Sequence, residues 1–250
     1  MSRLNEVTSL VRRAADEFNM IDSGDTVCVG VSGGKDSLVL LCALASLRGY
    51  YPKPFSLHAI TLDLGFEGMD FAGVLDLCSS LGVPYTLIKT DVREIVFDVR
   101  QEKNPCSLCS KMRRGALNNA IKQLGSNKLA LGHHRDDAIE TFLMSLIFEG
   151  RINCFKPVTY MSRADVYQIR PLLYVGEDES IRLTKELSLP VVTSTCPLDR
   201  DSKRAEIKQV LAQLEETYPD IRAKIFGAMK RLPLPGWDSG EAAVPSGSGR

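Results

Sequence analysis

Four short, largely apolar runs, at 26–31, 55–62, 85–88 and 128–131, the first three with β-branched residues, alternate with helically spaced stretches at 36–47, 69–81 and 111–124. Strands apolar on both sides must be covered on both faces, and parallel neighbours need a crossover long enough for a helix. The alternation predicts an α/β fold: an open parallel, doubly wound, Rossmann-like sheet with helices on both faces. A fifth strand is expected at 167–173, and further helices at 136–148 and 180–189. Residues 1–20 are expected to form an N-terminal helix, with Leu4, Val7, Leu10, Val11, Ala14 and Phe18 on one face. A central domain would then span 21–198, two closing helices 199–231, and a Pro-, Gly- and Ser-rich disordered tail 232–250.

Composition excludes several classes. With 44% hydrophobic and 25% charged residues, the 250-residue chain can build a core and is not wholly disordered. No apolar run reaches the roughly 18 residues of a membrane span, and the acids Glu6, Asp16 and Glu17 leave no secretory h-region. No membrane partner and a reducing, cytoplasmic setting are the expectation. Lys+Arg and Asp+Glu both number 31, which argues against coating nucleic acid by bulk charge. The balance hides an asymmetry, however: residues 1–100 carry a net −4 and residues 101–250 a net +4.

The densest motif is Ser32-Gly33-Gly34-Lys35-Asp36-Ser37, between the first strand and the first crossover helix. Adjacent glycines admit an anion close to the backbone, and a helix N-terminus offers unpaired N–H groups to it. The dipole contributes only about 0.3–1 kcal/mol, so Lys35 and the hydroxyls of Ser32 and Ser37 must do much of the holding. Asp36 would repel a bare phosphate, and makes sense as a Mg²⁺ ligand. The Walker pattern is absent. Leu62-Asp63 and Gly132-His133-His134-Arg135-Asp136-Asp137 fall after the second and fourth strands, where an open sheet binds its ligand. There Asp136 and Asp137 read as helix-capping acids, yet Asp137, Glu140 and Thr141 share one helix face, which makes a functional Asp137 plausible.

The seven cysteines divide unevenly. Cys28, Cys42 and Cys78 fall on apolar faces and read as core, and Cys154 is undecided. Cys106 and Cys109 open a helix, where thiolates are stabilised, and Cys196 follows an apolar run. A lone CxxC suits a redox pair, half a zinc site or coincidence. Three thiolates also suit a 4Fe-4S cluster with one iron left open, where ordinary clusters take four.

SGGKDS, PCSLC followed by KMRRG, LGHHRDDAIET, IRPLL and Cys196 occur here in one order. The series resembles the TtcA family of tRNA 2-thiocytidine synthetases, within the ATP pyrophosphatase (PP-loop) superfamily, over roughly residues 20–230. That resemblance implies a PP-loop domain of the adenine nucleotide alpha hydrolase-like type over 21–198. It implies a 4Fe-4S cluster on Cys106, Cys109 and Cys196, and ATP with Mg²⁺ on Ser32, Gly33, Gly34, Lys35, Asp36 and Ser37. Leu62, Asp63, Gly132, His133 and Asp137 would complete the nucleotide site. Lys35, Asp137 and Arg113 would serve catalysis, with Arg113 near the phosphates. The implied reaction adenylates the C2 oxygen of a tRNA cytidine, an anticodon-loop position, and replaces it with sulfur. AMP and pyrophosphate are released.

The implied partners are tRNA, ATP, and sulfide or a donor protein such as a cysteine desulfurase, with a homodimer as one possible assembly. The chain departs from related thiouridine synthetases by lacking their terminal zinc-binding CxxC pairs. Where some family members place a further cysteine, it has Asp199. Lys111, Arg113, Arg114, Lys203, Arg204, Lys208, Arg222, Lys224, Lys230 and Arg231 are candidate tRNA phosphate contacts. A charge-reversal pair at Lys203 and Arg204 is accordingly expected to weaken tRNA binding and spare ATP binding. A lysidine-synthetase-like ligase, which needs no cysteines, a non-catalytic ATP- and cluster-binding sensor, and a zinc-bound module are the alternatives.

Overall fold

The computed structural model describes residues 2–100, 105–162, 164–196 and 203–231. The expected tail at 232–250 lies outside them, as do residues 197–202. Six strands form one sheet in the order β3-β2-β1-β4-β6-β5. They are β1 (Thr26–Gly30), β2 (Ser56–Asp63), β3 (Tyr85–Lys89), β4 (Lys128–Ala130), β5 (Val158–Met161) and β6 (Val166–Ile169). The helices are α1 (Arg3–Glu17), α2 (Lys35–Arg48), α3 (Ala72–Ser80), α4 (Pro105–Gln123), α5 (Arg135–Glu149), α6 (Glu177–Glu186), α7 (Lys203–Thr217) and α8 (Ile221–Arg231).

Two features correct the five-stranded, all-parallel expectation. First, β5 pairs antiparallel with β6 and makes a sixth strand at the sheet edge. It is a four-residue element, half-buried throughout, so it lacks the apolar run of a central strand. Second, the expected fifth strand stops at Ile169, because Pro171 removes a ladder donor and opens a 3₁₀ turn, Pro171–Tyr174. A π-helical stretch, Glu94–Val99, was also not expected from sequence.

Alternation along the strands sets the two layers. Val27 and Val29 of β1 join the large core with α1, α2 and α5, whereas Cys28 points to the opposite face and packs with Ala120 and Ile121 of α4. Leu38, Leu40, Leu41 and Leu44 of α2 are fully buried, because this helix lies between the sheet, α1 and α6 and presents no polar face over that stretch. Cys28, Cys42 and Cys78 are buried, and burial pushes the thiol of Cys28 up to about 12 and those of Cys42 and Cys78 up to about 11. They are inert core residues at neutral pH.

Strand order positions the site. The chain winds outward from β1 through β2 to β3, then crosses back so that β4 lies on the other side of β1. At that switch point the connections leave β1 and β4 in opposite directions and open a crevice beyond their carboxyl ends. The glycine loop follows β1, and Gly132–Asp137 follows β4.

Candidate nucleotide and thiol site

The glycine loop is held by its own side chains. Ser37 Oγ accepts from Ser32 N–H at 3.2 Å and donates to Gly34 C=O at 2.8 Å, while Gly34 N–H donates to Ser32 Oγ at 3.4 Å. Gly33 has φ +85°, and a β-carbon there would stand 2.7 Å from Val192 Cβ. Glycine is required on both counts. Gly132 is required for closeness alone: a β-carbon would meet the backbone of Asp36 and Ser37 at 3.0 Å, so the two loops touch at the base of the crevice.

Above this floor lies a network of charges. Lys35 Nζ is 2.8 Å from Asp36 and 3.2 Å from Glu177. Glu177 also takes Lys208 at 3.0 Å. Arg204 reaches Asp137 at 2.5 Å, Glu140 at 3.2 Å and Thr141 Oγ1 at 3.4 Å, so one guanidinium reads the whole face on which these three residues were expected. Glu140 is fully buried, and burial pushes its carboxyl up against the opposing pull of Lys208 and Arg204. Arg222 Nη1 closes on Asp136 at 2.9 Å, and the other oxygen of Asp136 accepts from Glu177 N–H at 2.8 Å.

His134, rather than either aspartate, caps α5. The His134 ring accepts from Asp137 N–H at 3.3 Å, and the His134 backbone N–H donates to Asp137 Oδ2 at 3.0 Å, a reciprocal capping box. Both acids then sit in the first turn, complementing the helix dipole. His133 packs against Phe155 with the rings tilted and their centroids 5.2 Å apart. Burial, reinforced by the charge of Arg170, lowers its pKa to about 4, so the ring is neutral at pH 7. Asp63 accepts from Gly65 N–H at 3.0 Å, which turns the chain at the end of β2, and Leu62 beside it is half-buried.

Asp36 Oδ1 is buried and has no hydrogen-bond partner among the described residues. An orphaned carboxylate oxygen beside the glycine loop is a donor suited to a hard cation such as Mg²⁺.

The extended segment 191–196 runs past the loop. Val192 N–H donates to Gly33 C=O at 3.0 Å, and Thr195 Oγ1 donates to Glu67 C=O at 3.0 Å. This strap brings Cys196 from far along the chain toward Cys106 and Cys109. Burial raises the Cys109 thiol, Arg113 opposes that, and the neighbouring sulfurs of Cys196 and Cys106 add to the rise. At Cys109 burial outweighs the opposing pull of Arg113, so the thiol form is favoured there. Among the described residues no three ligating side chains stand close enough to hold an ion, although the sulfurs share one neighbourhood.

Arg113 is exposed on α4, and its charge acts on Cys109. No hydrogen bond or ion pair joins it to the glycine loop among the described residues. Cys154, which the sequence left undecided, donates to Ala138 C=O at 3.4 Å and is raised to about 12 by burial.

Sequence reasoning missed Glu177 and assigned Arg204, Lys208 and Arg222 to tRNA. In the structure all three are also paired with carboxylates of the crevice. Reversing Arg204 would therefore disturb the Asp137 side of the site as well. Lys111, Arg113 and Arg114 on α4 are exposed next to the thiols.

Glu177 links the site to stability. Burial works to raise its pKa, but Lys208 and Lys35 together hold it down at about 2, against 4.5 ordinarily. A depressed carboxyl stabilises the fold above its unfolded pKa and loses that contribution as pH falls through the folded value. The stability difference between wild type and Glu177→Gln is thus expected to be full above about pH 5 and to shrink toward pH 2, as measured by denaturant titration across that range.

The profile of the PP-loop domain family matches residues 7–215. The chain is 39% identical to a tRNA-cytidine(32) 2-sulfurtransferase of Pelobacter propionicus, over 89% of this chain and 84% of that protein. It is 35% identical to one from Geobacter sulfurreducens, over 91% and 90%. The chain belongs to the TtcA family of PP-loop proteins. Among solved structures it is similar to the U34-tRNA thiolase NcsA from Methanococcus maripaludis with its [4Fe-4S] cluster. That likeness has a TM-score of 0.75 at 28% identity, covering 92% of this chain and 78% of NcsA. No described helix of this TtcA-family chain is long and apolar enough to cross a membrane.

Proposed function

We propose that this chain is an ATP-dependent tRNA sulfurtransferase that replaces the C2 oxygen of cytidine 32 with sulfur, giving 2-thiocytidine in the cytoplasm. The observation that supports this best is the backbone bond from Val192 to Gly33. It ties the strand of chain carrying Cys196 to the loop that would hold ATP, so nucleotide and sulfur chemistry share one crevice.

The C2 oxygen is a poor leaving group. In the first step it attacks the α-phosphorus of ATP, the α–β bridging bond breaks and pyrophosphate leaves. Lys35, the loop N–H groups and the α2 N-terminus stabilise charge as the phosphates separate. Asp36, through its orphaned oxygen, would hold Mg²⁺, which would supply further positive charge to the phosphates. Leu62, Asp63, Gly132 and His133 line the nucleotide side, and Asp137 is fixed there by His134 N–H and Arg204.

In the second step sulfur bonds to C2 and the C2–O bond breaks, releasing AMP. Cys106, Cys109 and Cys196 would hold a 4Fe-4S cluster, which when bound by three thiolates supplies an iron able to carry sulfur. Arg113 beside Cys109 neutralises charge at that end. Sulfide, free or delivered by a donor protein such as a cysteine desulfurase, is the sulfur source. Lys111 and Arg114 are the tRNA phosphate contacts favoured by their exposure.

Anaerobically prepared protein given ATP, Mg²⁺, sulfide and tRNA is expected to form 2-thiocytidine, read by mass spectrometry of the digested tRNA, with one AMP per thiolation. ATP consumption without a thiolated nucleoside would reject the reading.

A further inference from the structure

Glu177 is the one carboxylate that joins the PP-loop lysine to a C-terminal helix among the described ion pairs. One oxygen, Oε1, lies 3.2 Å from Lys35 Nζ and 3.1 Å from Lys208 Nζ, and Oε2 lies 3.0 Å from Lys208 Nζ. An anion spanning two ammonium groups has the charge and reach of a phosphate oxygen pair. Its backbone is anchored independently, because Glu177 N–H donates to Asp136, which Arg222 holds from the other side. The side chain can therefore leave the lysines without displacing α6.

Lys208 has a second tether: it stands 3.7 Å from the buried Glu140 carboxylate, whose Oε1 has no hydrogen-bond partner among the described residues. That carboxylate keeps α7 over the crevice when Glu177 lets go. Lys35 likewise retains Asp36 at 2.8 Å. Both cations thus have a fixed partner and share the same exchangeable one.

Building on the nucleotide reading above, we infer that Lys208 acts with Lys35 as a two-cation clamp on the pyrophosphate portion of ATP, and that Glu177 is the internal anion occupying this clamp between turnovers. Incoming phosphates displace the Glu177 carboxylate. After pyrophosphate leaves, the carboxylate returns and disfavours its rebinding. Glu177 and Lys208 are positioning residues for the leaving group, and AMP, which lacks the β- and γ-phosphates, is indifferent to them.

Calorimetric titration of the full chain with inorganic pyrophosphate and, separately, with AMP tests this. Glu177→Gln is expected to bind pyrophosphate tighter by roughly threefold or more, the scale of partly exposed charge pairs, with AMP affinity unchanged. Lys208→Met is expected to weaken pyrophosphate by a similar factor, again sparing AMP, and the double variant to lose the gain of Glu177→Gln. Lys208 is on the outer helix and half-exposed, so its variant reports even if Glu177→Gln folds poorly. Pyrophosphate affinities equal to wild type in both variants, or equal shifts for AMP and pyrophosphate, overturn the clamp. In that event wild-type ATP binding still stands. Failure of the wild-type chain to bind ATP, AMP and pyrophosphate alike overturns the nucleotide reading and the clamp together.

Discussion

Replacing Cys196 with alanine is expected to leave a folded chain that binds ATP, holds no stable cluster and forms no 2-thiocytidine. Cys196 is half-buried at the end of a strap whose attachments are made by other residues, Val192 to Gly33 and Thr195 to Glu67. Removing its sulfur leaves both hydrogen bonds in place, so the glycine loop keeps its shape. The loss falls on the sulfur side, because two thiols cannot replace three as cluster ligands. Iron and sulfide content after anaerobic reconstitution, calorimetric ATP affinity, and nucleoside mass spectrometry separate these effects. A Cys196→Ala protein that retains wild-type iron and thiolation would remove Cys196 from the proposed ligand set. Cys154→Ala serves as a control, since that thiol is kept protonated by burial and bonded to Ala138 C=O.

Gly33→Ala is expected to damage both halves of the chemistry at once. A side chain at φ +85° costs about 1–2 kcal/mol, and the added β-carbon would stand 2.7 Å from Val192 Cβ and 2.9 Å from its Cγ2. Neither contact is the far end of a flexible chain, so the loop or the strap must move. A displacement of about 1 Å at a reacting centre can cost about a hundredfold in rate, and that is the loss expected in thiolation. Gly24→Ala makes the comparison clean. It has φ +88° with nothing within 4 Å of the added carbon, so it carries the strain without the collision. Denaturant unfolding should show Gly24→Ala losing the strain energy alone and Gly33→Ala losing more, with only Gly33→Ala losing ATP affinity and turnover. Equal activity in the two variants would show that the Val192 contact does not matter to the site.

Much of the sheet was legible because its signals are local. β1 to β4 each contain the apolar run that marks them, and the helices between carry a periodic face. The edge strand was not: β5 is four half-buried residues whose pairing with β6 depends on a partner several residues away. The glycine loop was legible for the same local reason, since six contiguous residues carry the turn, the helix start and the lysine. The α5 face was half legible. Spacing placed Asp137, Glu140 and Thr141 side by side, but nothing in it named Arg204 as the group they hold.

What local spacing could not supply were contacts closed across the chain. Lys35 meets Glu177 142 residues away, and Arg204 meets Asp137 67 residues away. Read along the chain, Arg204, Lys208 and Arg222 are basic positions on closing helices, and a solvated or RNA-facing role fits them. Folded, α7 packs on α5 and the same charges become the counterions of buried acids. Periodicity and short motifs are properties of neighbouring residues, so the central strands, the glycine loop and the α5 face were readable in one dimension. Which cation neutralises which carboxylate, and which strap brings the third cysteine to the first two, depends on burial and on the low dielectric it creates. Those exist only once the sheet has brought β1 and β4 together and the C-terminal helices have folded across their ends.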